Sequence, residues 1–336
     1  MIFLDNASTT EPLFFRSDYK QYWLNSNMSY AFEEQAKLSE AREKIKKCLG
    51  VKNGVVLFFR NATEAVQWLS STIGIGVCTV HEHDSVYNVT DFESADYTFA
   101  CQYVNQITGV ISSIEDFMCD SLFVSDFTAA IGHVAIPHNL ENICDAVWFS
   151  GHKFHTEKGI GCMWLGKKIC EILQASTSPR NQYNLVHGTE DVAGAMMLAD
   201  AMEHACSNID KKEAEWRMLS EILLRDLREA GLEARYIYDS AERTHAINAL
   251  YIKDVNADAL ATYLASKHIY VGVGHSACAD NNDYRVLEYY GLSKEEASKV
   301  IRVSFDECTT IRDIKGLVEN TILFWNTFVK ENNNND

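Results

Sequence analysis

Short apolar runs alternate with stretches of helical periodicity over the first two-thirds of the chain, the pattern of an α/β unit on a largely parallel sheet. VVLFF (55–59) reads as a buried strand and residues 62–73 as the helix that follows it. Further strands are expected at 77–80, 99–104, 122–125 and 146–149. Phe32, Ala36, Ile45 and Leu49 recur at helical spacing, and Gly50 stands where a left-handed C-terminal cap belongs. A long amphipathic helical region runs from about 192 to 230 and is interrupted near Asn208. Beyond it the texture changes: AINALYI (246–252) and VIRVSF (300–305) look like strands, with helices near 256–267, 293–299 and 310–325. The change of texture marks a large α/β domain followed by a smaller α+β one; the expected bounds are 13–207 for the large domain and 1–12 with 208–330 for the small one. A polar tail, ENNNND (331–336), follows.

Composition changes this picture little, but it excludes several classes. With 47% hydrophobic and 23% charged residues over 336 positions, the chain is neither disordered, collagen-like nor a coiled coil. Thirty Lys+Arg against 47 Asp+Glu give a net charge of −17, which argues against nucleic acid or an anionic membrane as the main partner. A local basic pocket for a small anion remains compatible with it. The ten cysteines include no C-x-x-C pair, so a zinc ribbon or thioredoxin-type site has no support. The start, MIFLDNAST, lacks the basic and long apolar segments of a signal peptide, and no apolar run approaches the ~20 residues of a membrane span. A cytoplasmic protein with free thiols is therefore expected.

Ligands of open α/β sheets bind at the carboxyl ends of strands, and four polar groups fall there. Lys153, in FSGHKFHTEKGIG (149–161), directly follows a buried strand; it is either an ordinary loop lysine or, with a lowered pKa, a Schiff-base former. Asp126 closes the strand SLFVS, where a carboxylate needs a cation or hydrogen bonds; alone, such a residue is more often a helix cap than a cofactor ligand. RNATEAV (60–66) puts Asn61 or Thr63 at a helix start, whose free N–H groups suit a phosphate. His81-Glu82-His83 contains an H-x-H pair without a third metal ligand at a recognisable spacing, and a stacking or structural histidine explains it better. Lysine, strand-end aspartate, phosphate-cradling turn and histidine together are what pyridoxal 5′-phosphate requires. Neither G-x-G-x-x-G nor a P-loop is present.

In order along nearly the whole chain, these segments resemble the cysteine desulfurases, class V aminotransferase-like enzymes of the fold-type I pyridoxal-phosphate group. LDNASTTEP (4–12), Asn27-Met28-Ser29, Ala62-Thr63-Glu64-Ala65, Glu82-His83, Asp126, Ser150-Gly151-His152-Lys153, Gly188-Thr189-Glu190-Asp191-Val192-Ala193-Gly194, Ser276-Ala277-Cys278 and Arg302 each match a family segment. The resemblance implies a large domain with a mostly parallel, seven-stranded-type sheet plus the smaller α+β domain. It implies Lys153 as the Schiff-base lysine, His83 stacked on the cofactor ring and Asp126 at its pyridine nitrogen. Ala62, Thr63, Ser150 and His152 become phosphate contacts, and Thr189 reaches the phosphate of the other subunit of a homodimer. Arg302, with Asn27 as helper, clamps the substrate carboxylate, a role suited to a bidentate guanidinium. Cys278, on a mobile loop, takes the sulfur of L-cysteine as a persulfide, which passes to an acceptor protein or small molecule, and alanine leaves.

The chain departs from the family pattern at several of these places. Ala129 stands where a desulfurase has a glutamine on the ring oxygen, and Gln106, in VNQITG (104–109), is a substitute for that contact. Arg60-Asn61 replaces Ser-Gly, Val186 replaces an arginine, and Gly274-His275 joins one subgroup's loop to another's Ser-Ala-Cys. His275 is placed to lower the thiol pKa of Cys278, an inference from its position alone. These departures keep alternatives open: a C–S lyase, selenocysteine lyase or aminotransferase of the same class, a non-catalytic desulfurase-like scaffold, or a cofactor-free protein using its acidic charge to bind a basic partner.

Overall fold

The computed structural model describes residues 1–93, 98–117, 121–238, 240–275 and 283–330. Its strands, in chain order, are β1 Ile2–Leu4, β2 Val55–Phe59, β3 Val77–Cys78, β4 Phe99–Ala100, β5 Phe123–Asp126, β6 Ala146–Ser150, β7 Gly161–Leu165, β8 Ala234–Tyr236, β9 Ile247–Ile252, β10 Ile269–Val273 and β11 Val300–Ser304. The chain forms two compact units, one of Thr9–Val104 with Ser112–Ile209, the other of Met1–Ser8, Asn105–Ile111 and Asp210–Asp336. Residues 105–111, which the sequence pattern assigns to the large domain, thus belong with the smaller unit. Val110 there bridges Arg243, and Ile107 packs in a cluster with Leu287 and Val300.

The larger unit is built on a sheet of order β2-β7-β6-β5-β4-β3. The pairs from β3 to β6 are parallel, while β7 runs antiparallel to both β6 and β2. Among the described residues the sheet counts six strands where the resemblance implied seven. β5 and β6 are buried at every position, and β6 is apolar along most of its length, as a strand covered on both faces must be. β3 and β4 are shorter than expected. Beyond Ala100 the Gln102 N–H donates to the Glu82 carboxylate at 2.7 Å, while the Cys101 and Tyr103 N–H groups still donate to the Val124 and Asp126 carbonyls of β5 at 3.1 and 3.0 Å. β7 is absent from the sequence expectation: GCMWL has no alternation to mark it, yet all five residues are buried. The open edge of β2 is covered by Gln182, whose side chain accepts from Phe58 N–H at 2.6 Å and donates to Phe58 C=O at 3.0 Å, as a neighbouring strand would.

The first long helix, Phe32–Leu49, ends as expected at Gly50, whose φ of 68° lets its N–H cap Lys46 and Lys47. Its buried stripe differs from the expected one. Phe32 and Ala36 are exposed, and the inner face is Leu38, Ala41, Ile45 and Leu49 with the polar Glu34 and Arg42. Arg42 is accommodated there because it pairs with buried Glu190 and lies over the rings of Phe58 and Tyr183. The helical region expected over 192–230 is two helices, Val192–Ala205 and Ile209–Glu229, separated at Asn208 with φ of 55°.

In the smaller unit the strand order is β1-β10-β11-β9-β8, with β1 parallel to β10 and the other pairs antiparallel. The strand expected at 300–305 is β11, at the centre of the sheet.

Candidate active site

The site residues of the larger unit meet at one end of its sheet because β5 and β6 are parallel neighbours. Asp126 stands in register with Trp148, so the β6 chain leaves the sheet just beyond it through Ser150 and the turn Gly151–Lys153. That turn brings Lys153, half-buried, to the carboxyl edge of the sheet. Ser150 joins it to a second element: its Oγ accepts the Ala62 N–H at 2.7 Å, at the start of the helix Ala62–Ile73. Asn61 caps the same helix by accepting the Glu64 N–H at 2.8 Å, while Thr63 stays exposed at its first turn. A strand-end hydroxyl and the positive end of a three-turn helix therefore share one corner.

Asp126 is buried, and its Oδ1 accepts the Thr128 N–H at 2.7 Å. The Thr128 hydroxyl is buried too and has no hydrogen-bond partner among the described residues. Sequence reading missed Thr128, although its place two residues after Asp126 and one before the atypical Ala129 was a signal. His83 turns its Nδ1 to accept the Ser85 N–H at 3.1 Å, so a neutral His83 carries its proton on Nε2. His81 groups with Glu82 and Cys101, whose donor atoms lie within 4.8 Å of one another. Glu82 there accepts from the Thr79 hydroxyl at 2.5 Å as well as from Gln102. Burial, with the Glu82 charge adding to it, pushes the Cys101 thiol up to about 12, leaving it protonated at neutral pH.

His152 is turned toward Thr9, with Nδ1 3.2 Å from its hydroxyl. Burial first, then the charges of Lys153 and Lys158, lower its pKa to about 4. The unfolded chain thus binds a proton at this residue from about pH 6.5 downward, whereas the fold refuses it until about pH 4. Stability of the cofactor-free protein is expected to fall across that window. His152→Gln should flatten the decline in urea midpoint between pH 6.5 and 4.5; an equally steep decline in the variant would contradict the neutral His152.

Asn27 and Thr189 sit on loops of the same unit. The Asn27 amide donates to Gly188 C=O at 3.1 Å and accepts the Asn181 N–H at 2.8 Å, which leaves one amide hydrogen for a ligand. Thr189 is exposed, beside the Glu190 that pairs with Arg42. Arg302 and Gln106 belong to the other unit. Arg302 donates to Asp5 Oδ1 at 2.7 Å and to the Gln106 backbone carbonyl at 3.1 Å, and its buried Nε has no partner among the described residues. There His275 Nε2 lies 3.0 Å from Asp258 Oδ1, so its ring is oriented by a carboxylate. Cys278 lies outside the described residues.

The Aminotransferase class-V family matches residues 93–317, the greater part of the chain and the stretch that includes Asp126, Lys153 and Arg302. The chain belongs to the aminotransferase class-V family. Among its class-V relatives are cysteine desulfurase IscS of Clostridium botulinum, 25% identical over 88% of this chain and 85% of that one, and cysteine desulfurase IscS of Dictyoglomus turgidum, 25% identical over 93% and 91%. The NifS-like protein from Rickettsia africae superposes with a TM-score of 0.83 at 19% identity, over 97% of this chain and 100% of that one. That likeness shows the class-V fold, a fold-type I α/β architecture. Family members are pyridoxal-phosphate-dependent enzymes, and this chain is a divergent one. No described helix is long and apolar enough to cross a membrane.

Proposed function

We propose that this chain is a pyridoxal-phosphate-dependent cysteine desulfurase that works as a homodimer and passes sulfur from L-cysteine to an acceptor protein or small molecule. The observation that carries the reading is the corner at which Lys153, Ser150 and the start of the helix Ala62–Ile73 meet, one strand from Asp126. The residues fit the cofactor. A hydroxyl and an exposed helix start suit a phosphate, a buried carboxylate suits a protonated ring nitrogen, and the unpartnered Thr128 hydroxyl leaves a polar place beside it.

When bound, pyridoxal 5′-phosphate supplies the electron sink for bond breaking at the substrate α-carbon. Lys153 would hold it through Nζ and, once displaced by the substrate amine, take the α-proton at that atom and return it nearby. Asp126 would keep a proton on the ring nitrogen, and His83 would stack against the ring. Ser150, His152, Ala62 and Thr63, with Thr189 from the second subunit, would hold the phosphate; Arg302 and Asn27 would orient the substrate carboxylate. Cys278 would act as thiolate. In net terms a protein thiol and cysteine become a protein persulfide and alanine: the Cβ–S bond of the substrate breaks and one S–S bond forms.

An absorbance spectrum of the purified protein, followed during addition of L-cysteine with alanine and sulfide assayed together, tests this. Expected are a visible cofactor band that responds to cysteine and stoichiometric alanine. Cys278→Ser should keep the band and lose alanine formation. Undiminished turnover in that variant would favour sulfide release by a C–S lyase route, and a colourless protein that takes up no cofactor would leave the scaffold reading.

A further inference from the structure

The His152 carbonyl is oversubscribed. It accepts the Thr10 N–H at 2.9 Å, the Thr10 hydroxyl at 3.1 Å and the Thr9 hydroxyl at 3.3 Å. A carbonyl oxygen offers two lone pairs, so the third and longest of these bonds is the one lost at least cost. The same Thr9 oxygen lies 3.2 Å from His152 Nδ1, slightly closer than it lies to the carbonyl. A hydroxyl has one hydrogen, which leaves two arrangements. If Thr9 donates to the carbonyl, Nδ1 must carry a proton to donate to Thr9, and Nε2 presents a lone pair. If the hydroxyl rotates and donates to Nδ1, the proton of a neutral ring sits on Nε2, which has no hydrogen-bond partner among the described residues.

We propose that Thr9 is a positioning residue whose hydroxyl rotates from the His152 carbonyl to His152 Nδ1 when a phosphate group is bound, placing the imidazole proton on Nε2 as a donor to that anion. This rests on the reading above that His152 is a phosphate contact. A lone pair on Nε2 would repel a phosphate dianion, whereas an N–H there forms a charge-assisted hydrogen bond. Burial of the ring first, and then the charges of Lys153 and Lys158, disfavour the alternative of an imidazolium. Capture of the anion then needs a change of tautomer, with the proton exchanged through solvent and none taken up by His152. The carbonyl keeps both Thr10 donors throughout, so the turn bearing Lys153 stays in place.

The test is nitrogen-15 spectroscopy of histidine-labelled protein at pH 7.5, with and without pyridoxal 5′-phosphate, the His152 signals being identified by their loss in His152→Gln. Expected are the Nδ1–H form without cofactor and the Nε2–H form with it. An imidazolium, or an unchanged Nδ1–H form, in the loaded protein overturns the proposal. Thr9→Val, which keeps the shape and removes the hydroxyl, should weaken cofactor retention about tenfold, and Thr9→Ser should restore it. Equal retention in Thr9→Val overturns the proposal as well. Uptake without the tautomer change defeats this proposal alone, while failure of the wild-type protein to take up cofactor defeats the functional reading and this proposal together.

Discussion

Lys153→Ala is expected to leave a folded protein that has lost its cofactor–lysine absorbance band and at least about a thousandfold of its cysteine turnover, the scale on which a positioned proton-transfer group acts. The loss should be chemical. Lys153 is half-buried in a short turn after β6, so its removal should change stability by no more than about 1 kcal/mol. Lys153→Arg separates charge from reactivity, because a guanidinium stays protonated and cannot take a proton from substrate. Both variants should be inactive, but they should differ at the neighbouring histidine. Since the Lys153 charge helps to hold the His152 pKa down, that pKa should rise in Lys153→Ala and stay low in Lys153→Arg. Stopped-flow absorbance for turnover and nitrogen-15 titration for His152 read the two effects separately. Cysteine turnover near the wild-type rate in Lys153→Ala would remove the lysine from the mechanism.

Gly161→Ala should have the largest effect on stability of any one-methyl change near the site. A Cβ at Gly161 would lie 2.8 Å from Asn61 C, 2.9 Å from Asn61 Cα and 2.9 Å from Phe149 O, all backbone atoms. None of these swings aside as a side chain does. Either β7 moves away from β6 or the capping residue of the helix Ala62–Ile73 is displaced. A loss of about 3 kcal/mol is expected, the upper end of what overpacking costs. Because Asn61 begins the helix bound to Ser150, cofactor retention should fall along with stability. Urea unfolding with cofactor titration checks both; an unchanged midpoint would mean that the strand has room the geometry denies it.

The strand ends were more legible in the sequence than the frame around them. The places of Ser150-Gly151-His152-Lys153 and Asp126 could be read because the strands they close are marked by short apolar runs, as in AVWFS. β7 was hidden because GCMWL follows a polar turn and shows no period. The stripe of the first long helix was misread for a different reason. Phe32 and Ala36 obey the helical spacing, but Glu34 and Arg42 occupy the inner face, which patterning reserves for apolar residues. The pairing of Arg42 with Glu190, 148 residues away, helps to make its burial possible, and no local rule announces a partner so distant. The place of residues 105–111 was hidden in the same way, since their contacts with Arg243 and Val300 are tertiary. Thr9 lies in a segment the sequence marked and Thr128 beside two marked positions, but what each hydroxyl faces depends on tertiary neighbours.

The position of β7 between β2 and β6 also has a consequence for synthesis on the ribosome. Among the described residues β2 has β7 as its sole strand neighbour, and about 100 residues separate the two in the chain. At roughly 5–20 residues per second, VVLFF is made several seconds before the strand that pairs with it. During that interval the nascent chain carries an apolar, β-prone segment with unpaired backbone groups, which makes it a client for a chaperone that holds extended apolar peptides. The corner around Lys153 cannot form until Leu165 has emerged, so cofactor loading is expected only late in synthesis or after release.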